Sequence, residues 1–210
     1  MGGKTNLPLA LDSFVGRTRE LALVGKLVGE ARLVTITGAP GIGKTRLALE
    51  VAAGLSETFP DGAWFVDLAP VHADGSVPQA VASVIGVREV AGADLVETLV
   101  SYVEDRHMLV VLDNCEHLVA SVAALADRML RSCPRLSLLV TSREALGTSG
   151  ERLFGLRWRP ERRCLGRVGR RCRPATSTPP WLPPARSQEV DDARPPGQLA
   201  WRVSVSSTVT

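Results

Sequence analysis

Gly38-Ala39-Pro40-Gly41-Ile42-Gly43-Lys44-Thr45 sets glycines, a lysine and a hydroxyl residue at the spacing G-x-x-x-x-G-K-[ST], and the chemistry of that spacing is phosphate capture. The glycines let backbone N–H groups converge on phosphate oxygens, and a helix opening there adds partial positive charge. Lys44 is expected to reach the β- and γ-phosphates and to be open to solvent without ligand, and the Thr45 hydroxyl to bind Mg²⁺. Ala39, Pro40 and Ile42 complete the loop, Arg46 follows it, and a nucleoside triphosphate or its diphosphate is the expected ligand. With only three lysines in 210 residues, the match carries more weight than the pattern alone would.

Two further groups of residues could act on the same ligand. Met108-Leu109-Val110-Val111-Leu112-Asp113 is an apolar run ending in a carboxylate, the form of a Walker B motif. Buried beside the phosphate-loop strand, it would let Asp113 hold Mg²⁺ directly or through water. The plainer reading makes Asp113 a cap for the following helix. Glu116 could polarise an attacking water, or be an acidic residue in a first helical turn. Asn114 suits a turn or the orientation of a neighbouring ligand residue, and His117 a helix surface. Leu138-Leu139-Val140-Thr141-Ser142-Arg143 ends a third apolar run in two hydroxyls and an arginine. The planar guanidinium of Arg143 would give charge-assisted bonds to a γ-phosphate.

These groups need elements to carry them. Leu33–Thr37 reads as a buried strand before the loop, and Arg46–Ala52 as a helix after it. Ala63–Leu68 reads as a strand entered through the turn Pro60-Asp61-Gly62. Val77–Ile85 has helical character. Asp94 and Glu97 have the spacing of a capping box that opens a helix through Leu95, Leu99 and Val103. His107–Leu112 is a strand. Leu118, Val122, Leu125, Met129 and Leu130 share one helix face, which Cys133-Pro134 ends. Leu136–Thr141 is the next strand, and Glu151–Phe154 a fifth. Strands alternating with helices predict an α/β fold, a parallel sheet with helices on both faces, with the ligand at the carboxyl ends of the strands.

Composition divides the chain near residue 155. Residues 1–154 carry 14 Lys+Arg and 18 Asp+Glu; residues 155–210 carry 11 Arg, 4 acidic residues and 8 of the 14 prolines. The second stretch shows no helical or alternating period, so it is expected to be a largely disordered basic tail. Such a tail could touch nucleic acid, but it lacks the interleaved aromatics and glycines of a binding platform. The apolar runs are too short to span a bilayer and the N-terminus lacks the order of a secretory signal, so a soluble cytoplasmic protein is expected. Cys115, Cys133, Cys164 and Cys172 show no C-x-x-C pairing, which argues against zinc and disulfide frameworks. Cys115 and Cys133 read as small buried residues.

The three groups, in this order and spacing, resemble the STAND class of P-loop NTPases, and within it the NB-ARC-like ATPase domains of LuxR-type and SARP-type bacterial transcriptional regulators. The likeness rests on Ser13-Phe14-Val15-Gly16-Arg17, Thr37–Leu49, Pro60–Ala69, Leu112–Leu118 and Thr141–Gly147, and covers about residues 7–154. It implies that Val15, Gly16 and Arg17 contact the adenine and ribose side of a nucleotide. Thr18 departs from the family's usual acidic residue and Asn114 from the paired acidic residues of eukaryotic relatives. The lid, winged helix and DNA-binding helix-turn-helix that the family carries further on are not visible after Phe154. The text from Gly155 onward resembles GC-rich DNA read in a shifted frame, or a degraded gene end, which suggests a truncated relative.

The expectation is therefore an ATP/ADP-binding switch domain of a regulatory ATPase at residues 1–154, with slow Mg²⁺-dependent hydrolysis. Its partners would be nucleotide and either other proteins or further copies of itself. DNA would be reached only through domains absent from this chain, and no membrane is involved. The alternatives are a module that senses nucleotide by binding alone, and a DNA-binding regulator acting through the basic tail.

Overall fold

The structure, a computed structural model, describes residues 5–8, 17–72, 76–89 and 92–157. Eleven elements follow in order: α1 (Thr18–Glu30), β1 (Leu33–Thr37), α2 (Lys44–Gly54), β2 (Ala63–Asp67), α3 (Val77–Ile85), α4 (Leu95–Val103), β3 (Met108–Asp113), a 3₁₀ turn (Cys115–His117), α5 (Val119–Ser132), β4 (Leu136–Ser142) and β5 (Glu151–Gly155). All strand pairs are parallel, in the order β2-β3-β4-β1-β5.

Alternation along the strands builds two cores. On β3, Met108, Val110 and Leu112 face a cluster with α3, α4 and α5, while Leu109 and Val111 join a cluster with α1 and α2. Both faces are covered, which is why β3 and β4 are buried at every position. The parallel sheet with helices on both faces is thus the P-loop NTPase fold expected from the alternating pattern.

Several details differ from the sequence reading. The Walker B strand does not neighbour the phosphate-loop strand: β4 pairs with both β1 and β3 and lies between them. Helix α1 has no counterpart in the sequence pattern. Val24 and Val28 are its buried face, but Gly25 and Gly29 beside them weaken the helical signal. Asp94 caps α4, its Oδ1 accepting from the Val96 N–H, yet Glu97 does not close the capping box: it pairs with Arg128 of α5 instead. An ion pair tying α4 to α5 competes for the carboxylate that the box would use. The free edge of β2 is blunted by Thr5, which forms a parallel bridge with Ala63, and by Asn6, whose side chain accepts from the Phe65 N–H and donates to the Phe65 carbonyl. Strand β5 runs through Gly155, and Leu156 beyond it is buried, so the packed region extends past the 154 boundary read from composition. The rest of the basic tail, with Cys164 and Cys172, lies outside the described residues. Cys115 and Cys133 are buried, as expected.

Candidate functional site

Local backbone shape builds the loop between β1 and α2. Gly41 and Gly43 have φ of 71° and 92°, a region in which a side chain would be strained, and Gly43 is the N-cap of α2. The loop therefore turns its amides toward the start of the helix, where the helix dipole favours an anion. Lys44 is not open to solvent, in contrast to the expectation. It is buried, its Nζ donating to the carbonyls of Gly38 at 3.0 Å and Ala39 at 3.3 Å. Those carbonyls take up two of the three ammonium donors, and the contacts brace the loop. Ala39 and Pro40 are exposed at the loop tip, Ile42 packs on the core shared by α1 and α2, and Arg46 is exposed on the first turn of α2.

Asp113 is buried at the end of β3 and does not cap a helix. Thr45 Oγ1 donates to its Oδ2 at 2.9 Å, Thr141 Oγ1 donates to its Oδ1, and Asn114 Nδ2 donates to Oδ2 at 3.1 Å. Asn114 also reaches Asp67 Oδ1 at 3.3 Å, and its backbone N–H donates to Thr141 Oγ1. Asp67 faces Asp113 across the β2–β3 register. Burial pushes the Asp113 carboxyl above its ordinary range; the Thr141 and Thr45 hydroxyls pull it back, and the nearby Asp67 and Glu116 charges add to the rise. The insertion of β4 explains Thr141: the strand between β1 and β3 carries, near its carboxyl end, the hydroxyl that donates to Asp113 and accepts from the Asn114 N–H. Its part is not legible in the sequence, because the strand order is not.

Asn114 takes a left-handed conformation, φ 60°, the only non-glycine residue among those described to do so. The turn aims its amide back at Asp113 and Asp67. Glu116 and Arg143, read separately as water-polarising and phosphate-sensing residues, are brought together: Arg143 Nε donates to Glu116 Oε1 at 3.0 Å. Glu116 Oε2 is buried without a hydrogen-bond partner among the described residues. His117 is exposed in the 3₁₀ turn, its Nε2 2.7 Å from the Val71 carbonyl oxygen. An open cavity of about 860 Å³ borders Asn114, Glu116, His117 and Arg143, and no residue of the phosphate loop lines it.

Of the three residues implied for the adenine and ribose side, Val15 and Gly16 lie outside the described residues. Arg17 precedes α1, and its Nη1 lies 3.9 Å from where a Cβ on Gly43 would stand. No helix among the described residues is long and apolar enough to cross a membrane, and those residues hold no group of three or more His, Cys, Asp or Glu side chains arranged for a metal ion.

This loop, strand order and buried aspartate define a P-loop NTPase domain. The chain belongs to the AAA domain family, which matches residues 28–148. It is 45% identical over 149 residues to an uncharacterised protein of Mycobacterium tuberculosis, covering 71% of this chain and 37% of that protein. It is 43% identical over 125 residues to a second M. tuberculosis protein, named as a candidate HTH-type transcriptional regulator, covering 60% of this chain and 14% of that one. The chain thus spans well under half the length of these relatives. Among solved structures, a signal-transduction ATPase of the STAND class with a tetratricopeptide repeat sensor, from Pyrococcus horikoshii, shares the fold. Its TM-score is 0.52 at 17% identity, over 73% of this chain and 24% of that one.

Proposed function

We propose that this domain is an ATP/ADP-binding switch of a regulatory protein, of NB-ARC-like type, with slow Mg²⁺-dependent hydrolysis of ATP to ADP and phosphate. The observation that carries the reading is the contact of Thr45 Oγ1 with Asp113 Oδ2, a hydroxyl and a carboxylate side by side beneath the phosphate loop. Hard oxygen donors of this kind suit Mg²⁺, and the raised affinity of Asp113 for a proton marks a buried anion short of positive charge. Thr45 and Asp113 would hold the ion, which when bound supplies charge neutralisation for the β- and γ-phosphates. Lys44 and the amides of the loop from Gly41 to Thr45, past the donorless Pro40, grip the phosphate chain. Arg143 turns from Glu116 to the γ-phosphate, which leaves the Glu116 carboxylate to orient water.

The likeness to a candidate transcriptional regulator supports a regulatory setting, in which the two nucleotide states are read out by protein partners or further copies of the chain. Calorimetric titration of the full chain with ATP and ADP, with and without Mg²⁺, tests the binding; release of phosphate tests hydrolysis. Absence of ATP binding at millimolar concentration overturns the reading. A second reading, nucleotide sensing without hydrolysis, is favoured by the Arg143–Glu116 pair: it occupies the two side chains that turnover would need. Tight binding with no phosphate released decides for it.

A further inference from the structure

We propose that Arg17 grips the phosphate chain of the nucleotide rather than its base or sugar; this rests on the nucleotide-binding reading above and deepens it. Helix α1 leads through a two-residue connection into β1, and α2 follows β1, so both helices run against the strand and start at its carboxyl end. Their shared core, with Val24 and Val28 of α1 beside Leu47, Ala48 and Val51 of α2, holds them on one face of the sheet. Arg17 is the N-cap residue of α1, and its donor-only side chain cannot cap the helix amides. It reaches across to the N-cap of α2, where Nη1 lies 3.9 Å from the Cβ position of Gly43.

That nitrogen is buried and has no hydrogen-bond acceptor among the described residues. A guanidinium hydrogen removed from water and left without an acceptor is costly, and the surroundings here raise the cost. The start of α2 carries the positive end of a helix dipole, and Lys44 lies one residue on. Two cations and a dipole of the same sign repel one another unless an anion joins them. An adenine or ribose has no negative charge to offer, whereas a di- or triphosphate does, and a planar fork suits its oxygens. Proximity to Gly43, inside the phosphate loop, selects the same part of the ligand.

The test is calorimetry on the full chain with ATP, GTP and inorganic tripolyphosphate, for wild type, Lys44→Ala, Arg17→Ala, Arg17→Gln and Arg17→Lys. Loss of one charged hydrogen bond predicts a fall of about tenfold or more in affinity for ATP and for tripolyphosphate alike in Arg17→Ala and Arg17→Gln. Arg17→Lys should recover part of it, and the ATP-to-GTP ratio should stay constant. ATP affinity lost with tripolyphosphate affinity kept would place Arg17 at the base or ribose and overturn the proposal, as would unchanged affinity for both. Failure of wild type and Lys44→Ala to differ, or of wild type to bind either ligand, would instead remove the nucleotide reading on which it rests. Near-equal melting temperatures of the Gln and Lys variants keep a folding defect from imitating the result.

Discussion

Thr45 and Asp113 touch at 2.9 Å although the strands that lead to them are not neighbours: β4 separates β1 from β3. The gap is bridged because α2, which opens with Lys44 and Thr45, packs across β1, β4 and β3, while Thr141 on the intervening β4 donates to the other carboxylate oxygen of Asp113. Disruption of the Thr45–Asp113–Thr141 set should therefore affect the site before it affects the fold.

Lys44→Ala should lower ATP affinity at least about tenfold, the worth of a charged hydrogen bond being about 1.5–3 kcal/mol. The variant should also loosen the ligand-free loop, since the carbonyls of Gly38 and Ala39 lose their donor. Calorimetry reads the first effect, and amide hydrogen exchange across residues 38–45 the second. ATP binding at wild-type strength would remove the phosphate-site assignment.

The limits of the sequence show in the same residues. The phosphate loop, the Asp113 carboxylate and the β3 run are legible because each is a local pattern of residue types. The order of strands is not, since two equally apolar runs such as 108–112 and 136–141 do not announce which lies beside Leu33–Thr37. Hence the sequence shows Thr141 only as the end of a strand, and it does not show the burial of Lys44. Helix α1 escapes for a different reason: paired glycines blur a face that only packing against α2 reveals.

Asp113 gives a pH test with a definite sign. Its folded-state proton affinity is raised, chiefly by burial, so the ligand-free fold holds that proton longer than the unfolded chain does. This group's contribution to stability is present below the ordinary carboxylate range and is lost as pH rises through the raised folded value. Asp113→Asn abolishes that titration. Denaturation of both proteins without Mg²⁺ or nucleotide, from about pH 4 to 7, should show wild type losing stability relative to the variant as pH increases. A difference independent of pH would contradict the buried-anion account.

Glu116→Gln and Arg143→Ala separate the paired residues. The first should leave ATP binding near wild type and suppress hydrolysis, because shape is kept while the charge that orients water is lost. The second should weaken ATP more than ADP, because the γ-phosphate is the group Arg143 is proposed to meet. Wild-type turnover by Glu116→Gln would return Glu116 to a structural partner of Arg143.

Asn114 offers a backbone test. Glycine tolerates φ 60° and should keep the fold, whereas valine at that angle is strained by roughly 1–2 kcal/mol. Asn114→Gly isolates the amide: stability close to wild type with weakened Mg²⁺ dependence of ATP binding assigns the amide to holding Asp113. Unchanged Mg²⁺ dependence would leave only the turn.

Truncation separates the packed region from the basic stretch. The Leu156 N–H donates to the Thr37 carbonyl at 2.7 Å, its side chain is buried against the α1–α2 core, and its carbonyl oxygen lies 2.7 Å from where a Cβ on Gly38 would stand. The residue after β5 thus clamps the first residue of the phosphate loop. A chain ending at 158 keeps this clamp and should bind ATP as the full chain does, with a similar melting temperature. A chain ending at 154 loses Leu156, whose burial is worth about 1.5–3 kcal/mol, together with the last strand bond to β1. It should melt earlier and bind ATP more weakly. Loss of ATP binding in the chain ending at 158 would show that residues beyond that point belong to the nucleotide site, and would defeat the reading of the basic stretch as a dispensable tail.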